Sequence, residues 1–315
     1  MILLLGIPSE PPMRLVTEAL KQLGARFQFV NQRDALRTQL TLRTSPAGLG
    51  GSLETPEGSL KLTDVSAVYA RPMDTDALPE LRGEPEESPR RRHCRQLQEL
   101  WMRWMERTRA RVLNRPSAMA SNGSKPFQCQ WIREAGFDVP PTLITNDPEA
   151  VLEFRARHGS LIFKSISGVR SIVTELTDDL LPRLRLLRSF PVQFQARIPG
   201  DDIRVHTVGD RAFAARARTP GVDYRYAARQ GHDLDLEACD LPDSVARRCC
   251  DLARRLGLDF AGLDFKCTPE GRWVCLEANP CPAFSFYEET TGLPIAAAVA
   301  EYLAEGKAIG SRPSP

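Results

Sequence analysis

The 315-residue chain is expected to fold as an α/β domain followed by an α+β body, and three observations lead there. The first 30 residues read strand, helix, strand, which is how a parallel sheet with a crossover helix begins. Beyond residue 190, strand patterns follow one another at short intervals around one helix near 242–256, as in a mostly antiparallel sheet with helices on one side. The length itself suits about two domains of roughly 100–200 residues.

Taken in order, Met1–Leu5 is an apolar run broken by Gly6-Ile7-Pro8-Ser9, Met13–Leu23 reads as a helix stopped by Gly24, and Arg26–Val30 as a second strand. Residues 45–60 are turn-rich and read as a hairpin or loop. Ala67–Ala70 is a further strand ending in Arg71-Pro72, and the charged, proline-rich stretch 74–92 reads as mobile. Over Arg95–Arg111, Leu97, Leu100, Trp101, Trp104 and Met105 recur at helical spacing and define one buried face. The arginines around them read as a solvated face, with a polyanion patch as the alternative. The texture changes after Asn114-Arg115-Pro116, which separates a first domain at 1–115 from the units that follow. Within these, helices are expected at Phe127–Ala135 and Asp147–His158, separated by an extended connector at Asp138–Thr142. Strands are expected at Leu161–Lys164, Ser171–Leu176, Pro191–Ile198, Ile203–Val208, Arg211–Arg218, Phe260–Lys266 and Arg272–Ala278.

Composition excludes several classes. A formal charge of +2, from 42 basic and 40 acidic side chains, gives no field that points to nucleic acid or a membrane. The initial apolar run Ile2–Leu5 is far short of the roughly 20 residues that span a bilayer, and it lacks the flanks of a signal peptide. The eight cysteines form no Cys-x-x-Cys pair and lie apart from the four histidines, so a zinc site is not expected and the thiols read as those of a reduced, cytoplasmic protein. Only six of the basic residues are lysine, which makes Lys125 and Lys164 notable where they fall inside motifs. The chain has no P-loop, no Gly-x-Ser-x-Gly elbow and no His-Glu-x-x-His, and Gly48-Leu-Gly-Gly51 lacks the setting of a dinucleotide fingerprint.

The chemistry concentrates near the C-terminus. Gly262-Leu-Asp264-Phe-Lys266 lies on one expected strand and Trp273-Val-Cys-Leu-Glu277-Ala-Asn279-Pro280 on the next, joined by the turn Thr268-Pro-Glu-Gly271. Glu277 and Asn279 are two apart and project from one face. Two carboxylates and an amide oxygen on one face suit a hard cation, above all Mg²⁺ holding a substrate's phosphates. Apolar neighbours Leu263, Phe265 and Leu276 bury these strands, and buried carboxylates need partners, which disfavours a solvated hairpin.

With its spacing of 13 and then 2 residues, the set Asp264, Glu277 and Asn279 resembles the metal triad of the ATP-grasp ligases. The resemblance is to the branch of the ribosomal-protein glutamate ligases, glutathione synthetases and D-alanine ligases. Ser124-Lys125-Pro-Phe-Gln128 with Gly136-Phe-Asp-Val-Pro140-Pro-Thr142 is similar to that family's first nucleotide lysine and its continuation, and Leu161-Ile-Phe-Lys164 to its second lysine. Val192 to Ile198, with Asp202-Ile-Arg204, looks like the adenine hinge and the Asp-Ile-Arg signature. The phosphate loop has one glycine, Gly168, where many relatives have several, so Arg170 could substitute for missing backbone donors. Ala196 stands where many relatives carry an acid, and Gly262 where D-alanine ligases carry an arginine, which argues against D-alanine specificity. Val222-Asp223-Tyr224-Arg225, the tail Tyr287-Glu288-Glu289-Thr290-Thr-Gly292-Leu-Pro294 and Val68-Tyr-Ala-Arg71-Pro72 are similar to the peptide-modifying maturases of microviridin-type graspetides.

The resemblance, covering about residues 115–302, implies an ATP-grasp fold: an N-terminal parallel α/β domain at 1–115, then nucleotide held between two α+β subdomains, a central one at 116–190 and a C-terminal one at 191–315. It implies ATP and Mg²⁺, two ions with Mn²⁺ as a substitute, held by Asp264, Glu277 and Asn279. Nucleotide would be bound by Lys125, Lys164, Arg170, Gln195, Ala196, Ile198 and Asp202, with Arg204, Arg216 and Arg218 as catalytic groups facing a carboxylate or acyl phosphate. His206 shares the face of Arg204 and reads as a structural histidine. The implied activity is an ADP-forming carboxylate–amine or carboxylate–hydroxyl ligase that modifies a peptide. A small-molecule amino-acid ligase and a non-catalytic ATP-binding module are the alternatives. Neither nucleic acid nor a membrane is an expected partner, a homo-oligomer is left open, and acceptor contacts are expected from loops near 45–60, 74–92 and 219–232.

Overall fold

β1 (Ile2–Gly6) is buried at every position, as an uninterrupted apolar run requires of a central parallel strand. The structure is a computed structural model describing residues 1–46, 48–120, 125–166, 173–219 and 233–306. Helix α1 (Pro11–Gln22), with prolines in its first turn where no N–H is needed, crosses over to β2 (Phe27–Asn31), which pairs with β1 in parallel. The turn-rich stretch forms a separate antiparallel sheet of β3 (Gln39–Ser45), β4 (Gly48–Thr55) and β5 (Gly58–Lys61). β6 (Ala67–Ala70) then pairs with the other side of β1.

Helix α2 (Pro89–Arg107) begins at Pro89 rather than Arg95 and ends at Arg107 rather than Arg111. Ser88 caps it by accepting the Arg91 N–H, and Leu97, Trp101, Trp104 and Met105 are buried as the periodicity requires, while Leu100 stays at the surface. The segment before it is packed, contrary to its composition. Thr75, Leu78 and Leu81 are buried, and Arg91 donates to Leu81 O and Glu84 O and pairs with Asp76. The residues after α2 form β7 (Arg111–Leu113), which completes the parallel sheet in the order β2-β1-β6-β7.

After the short helix α3 (Pro116–Met119) comes α4 (Lys125–Glu134). The expected connector continues into a strand, β8 (Thr142–Thr145), followed by α5 (Pro148–His158), β9 (Leu161–Lys164), β10 (Thr174–Glu175) and β11 (Val192–Ala196). These strands form an antiparallel sheet in the order β10-β9-β11-β8. Because β11 pairs with β8 and β9, the change of sheet falls at 197–200 rather than at 190.

The largest sheet collects β12 (Asp201–Val208), β13 (Arg211–Arg218), β14 (Asp235–Cys239), β15 (Phe260–Cys267) and β16 (Trp273–Asn279), in the order β14-β13-β12-β15-β16, with α6 (Asp243–Arg255) on one face. The body is thus two antiparallel sheets rather than one. Helix α4 belongs to the second of these, since Ile132 packs with Val245, Leu252 and Phe265. After α7 (Ser285–Thr291) the chain returns to the first domain. Ile295, Val299 and Leu303 of α8 (Ile295–Ala304) share a core with Ile2, Leu4, Met13 and Val16. The C-terminal helix therefore completes the first domain's core. Among the described residues no helix is long and apolar enough to cross a membrane, and all eight cysteines are free.

Asn114 ties the first sheet to the last. Its buried amide donates to Phe260 O (2.5 Å) and Pro280 O (2.7 Å) and accepts from Asp259 N–H and Phe260 N–H. Leaving such groups unmatched costs about 1–3 kcal/mol, so Asn114→Ala is expected to lower the thermal unfolding midpoint by several degrees, read by circular dichroism.

Candidate active site

Antiparallel register brings the charged residues of three strands into one row. Arg204 of β12 lies opposite Asp264 of β15, and Asp264 lies opposite Glu277 of β16. Paired residues share a face, so guanidinium, carboxylate and carboxylate stand side by side. Asn279 lies opposite Gly262, one step along the same face, and its Oδ1 accepts the Cys281 N–H at 3.0 Å. A bulge beside Asp264 sets two residues of β16, Leu276 and Glu277, against it, a device that re-aims a side chain.

The centre of the row is a buried ion pair. Arg204 Nη1 lies 2.8 Å from Asp264 Oδ2, and both side chains are almost wholly enclosed. A Cβ on Gly262 would fall 2.1 Å from Arg204 Nη2, so the guanidinium lies across the backbone of Gly262 to reach its partner. Arg204 Nε donates to His206 Nε2 at 3.4 Å, and Tyr287 meets the His206 ring edge-on with centroids 4.9 Å apart. Burial, and then the Arg204 charge, hold the His206 pKa well below its ordinary value, which keeps the imidazole a neutral acceptor.

On the central sheet, Lys164 ends β9 opposite Gln193, and Gln195 lies opposite Ile162, so Lys164, Gln193 and Gln195 share a face. Phe163 and Phe194 pack on the other side against Val151 of α5. Gln195 donates to Thr142 Oγ1 at 3.0 Å, and the Ala196 N–H is taken by Pro141 O. Ile198 follows in the connection to β12, which is pressed onto the end of β15. There Gly200 has φ +130°, and a Cβ would meet Cys267 O at 2.1 Å. Asp202 pairs with Lys266 Nζ at 2.9 Å, across the strands.

Arg216 and Arg218 do not join this row. Arg216 lies opposite Ile203, so both arginines sit on the face turned away from Arg204 and Asp264, among Asp201, Asp235 and Glu237. Spacing along one strand could not show this, because the face depends on how β13 registers against β12. Lys125 opens α4 with its side chain outside the described residues, as are Arg170, the loop around Gly168 and Asp223-Tyr224-Arg225. The sequence reading missed Lys266, the counter-ion of Asp202, and Gln193, whose amide oxygen is buried without a hydrogen-bond partner among the described residues, across the strands from Lys164. Both lie within the quoted motifs, so alternation along the strand was the available signal.

Relatives decide what the arrangement belongs to. No family model matches the chain. It is 25% identical over 209 residues to a probable alpha-L-glutamate ligase of Haemophilus influenzae, covering 64% of this chain and 68% of that protein. For some other curated relatives the matched share of their length is about half. In structure it is similar to a Chryseobacterium gregarium RiPP-associated ATP-grasp ligase in complex with ADP and a leader and core peptide, with a TM-score of 0.82, 21% identity and 96% of each chain covered. It is also similar to the ATP-grasp ligase PsnB complexed with a phosphomimetic variant of its minimal precursor, Mg and ADP, with a TM-score of 0.79, 27% identity, and 97% and 98% of the two chains covered. The chain is an ATP-grasp ligase.

In this ATP-grasp ligase the donor set fits a hard divalent cation. Among the described residues no three His, Cys, Asp or Glu side chains gather as a metal site, and the amide of Asn279 completes the pair of carboxylates. The tail after the triad has structural duties. Tyr287 packs on His206, Glu288 accepts the Ala296 N–H at the start of α8, and Glu289 pairs with Arg14 of α1. A Cβ on Gly262 would strike the Arg204 guanidinium hardest and Pro282 Cβ, 2.8 Å away, less, so Gly262→Ala should be milder, though still costly, in an Arg204→Ala background than alone. A double-mutant cycle of unfolding free energies is expected to give a coupling of about 1–3 kcal/mol.

Proposed function

We propose that this ATP-grasp ligase activates a peptide side-chain carboxylate with ATP and joins it to an amine or hydroxyl. The observation that carries the reading is the row Arg204–Asp264–Glu277, with Asn279 one step along the same face. The substrate carboxylate oxygen attacks the γ-phosphorus of ATP, the bond to the β-phosphate oxygen breaks, and ADP leaves with that electron pair. The amine or hydroxyl then attacks the acyl carbon, loses its proton, and expels phosphate. Bound at Asp264, Glu277 and Asn279, Mg²⁺ would neutralise charge on the nucleotide's phosphates; two ions, with Mn²⁺ as a substitute, belong to the same reading.

The chain's own residues do the rest by position and charge. Lys164 supplies a compact cation for phosphate oxygens, joined by Lys125 and, from the phosphate loop, Arg170. Gln195, Ala196 and Ile198 line the adenine strap, and Asp202, held by Lys266, addresses the ribose hydroxyls. Arg204 is fixed by Asp264 and His206 with its charge beside Asn279, where it would stabilise charge developing at the acyl phosphate more than on the resting carboxylate. Arg216 and Arg218 have no part in this account. The eight free thiols fit a reducing cytoplasm.

The peptide substrate is favoured by relatives similar over nearly the whole chain whose structures hold precursor peptides. The match to a probable alpha-L-glutamate ligase favours a second reading, a free amino acid as the carboxylate. Hydroxylamine separates them. Offered to the enzyme with ATP and Mg²⁺, together with a synthetic peptide bearing Glu, Asp, Lys and Ser or with free L-glutamate, it should trap the peptide's acid side chain as a hydroxamate, with stoichiometric ADP and phosphate. Hydroxamate from free glutamate alone overturns the peptide reading, and a stable phosphoester without hydroxamate overturns the ligase reading. Lys164→Ala should weaken ATP binding by about ten- to 150-fold in calorimetry, the equivalent of a charge-assisted contact of about 1.5–3 kcal/mol, and Lys164→Arg should recover part of it.

A further inference from the structure

Among the described residues β16 is the edge strand of its sheet, met on its outward side by a single bridge from Asp138 to Val274 and by no further strand, so its other outward N–H and C=O groups need partners from elsewhere. Ala278 lies between Glu277 and Asn279, and its side chain points into the core, opposite Leu263. One buried side chain takes both of its main-chain groups. Gln128 of α4, 2% exposed, donates from Nε2 to Ala278 O at 2.7 Å and accepts the Ala278 N–H on Oε1 at 2.9 Å. The amide thus acts as a strand one residue long. It fixes the two peptide planes that set where the Glu277 carboxylate and the Asn279 amide point. Nearby, Cys275 N–H donates to Asp138 O at 2.8 Å and Pro280 O is held by Asn114, so the edge is anchored on both sides, and Gln128 acts between these anchors, at the residue that separates Glu277 from Asn279.

We propose that Gln128 is a positioning residue for the metal site: through Ala278 it holds Glu277 and Asn279 in the arrangement that binds Mg²⁺ with the nucleotide. The inference rests on the assignment of Asp264, Glu277 and Asn279 as the cation ligands. It places the clamp on the helix that begins at Lys125, so the nucleotide lysine and the orientation of the metal strand share one rigid element. Groups that orient ligands without touching the metal commonly matter as much as a ligand's own surroundings, and losing one weakens metal binding by about 10–100-fold.

ADP binding to the full chain, measured by calorimetry over a series of Mg²⁺ concentrations, reads this without turnover. Gln128→Met keeps the length of the side chain and removes both bonds. It should raise the Mg²⁺ concentration for half-maximal enhancement of ADP binding by about 10–100-fold, while the Mg²⁺-free ADP dissociation constant stays within about threefold. An unchanged Mg²⁺ dependence overturns the proposal, as does an equal loss with and without Mg²⁺, which is what a purely structural role would give. Glu277→Gln is measured alongside. If it leaves the Mg²⁺ dependence intact, the ligand assignment itself has failed; if it removes the dependence while Gln128→Met does not, only the role of Gln128 has failed. Should Gln128→Met not fold, Gln128→Glu, which keeps an acceptor for the Ala278 N–H, is read on the same scale with the same two outcomes.

Discussion

A guanidinium and a carboxylate can be enclosed together only if each is held against the other, because an unpaired buried charge is far costlier than a paired one. The contact between Arg204 and Asp264 imposes that condition on its surroundings. Gly262 must lack a Cβ for the guanidinium to cross β15, and His206 must stay neutral to accept from Arg204 Nε. Tyr287 must then close the space over both, which fixes how α7 follows the triad strand. Desolvation and the neighbouring cation act on His206 in the same sense, and the result is a rigid positive charge lying over Gly262.

The triad is likewise a product of several separate elements. Its three residues sit on two strands, yet the backbone that carries them is held by residues from elsewhere: Gln128 at Ala278, Asn114 at Pro280, and Arg71 at Pro282 O, 2.9 Å away. Arg71 also pairs with Glu10 and reaches Cys281 Sγ at 3.3 Å, so the end of the first domain's β6 is bound directly to the segment that leaves β16. Burial raises the Tyr69 hydroxyl and the Cys281 thiol above their ordinary pKa values, which keeps both neutral beside that cation. The first domain is thus part of the site's foundation. The return of α8 to the core of β1 and α1 closes the same loop from the other end of the chain.

Local order along the chain specifies the parts that depend on neighbours a few residues apart. The apolar run of β1, the buried stripe Leu97, Trp101, Trp104 and Met105, and the pairing of Phe260–Lys266 with Arg272–Ala278 follow from periodicity and turn chemistry. The alignment of Asp264 with Glu277 was legible for the same reason, since a hairpin puts residues at a fixed offset face to face. Short elements were not. β7 and β8 have three and four residues and carry too little pattern to stand out, and they exist because a partner strand offers its edge. The stretch 74–92 was misread because composition counts charges, whereas Arg91 satisfies its own among backbone carbonyls and Asp76.

By itself the sequence determined which residue types could bind a metal and phosphates, and the strands on which most of them lie. Only the tertiary structure decided which of them meet. Strand register turned Arg216 and Arg218 away from Arg204, assigned β11 to the central sheet, and put Lys266 against Asp202. It also set Gln128 against an edge strand 150 residues away, and carried the last helix back to the first strand. The physical reason is one of range. Periodicity and turn propensity act over a few residues, while register and burial are settled by contacts between segments that the chain separates widely.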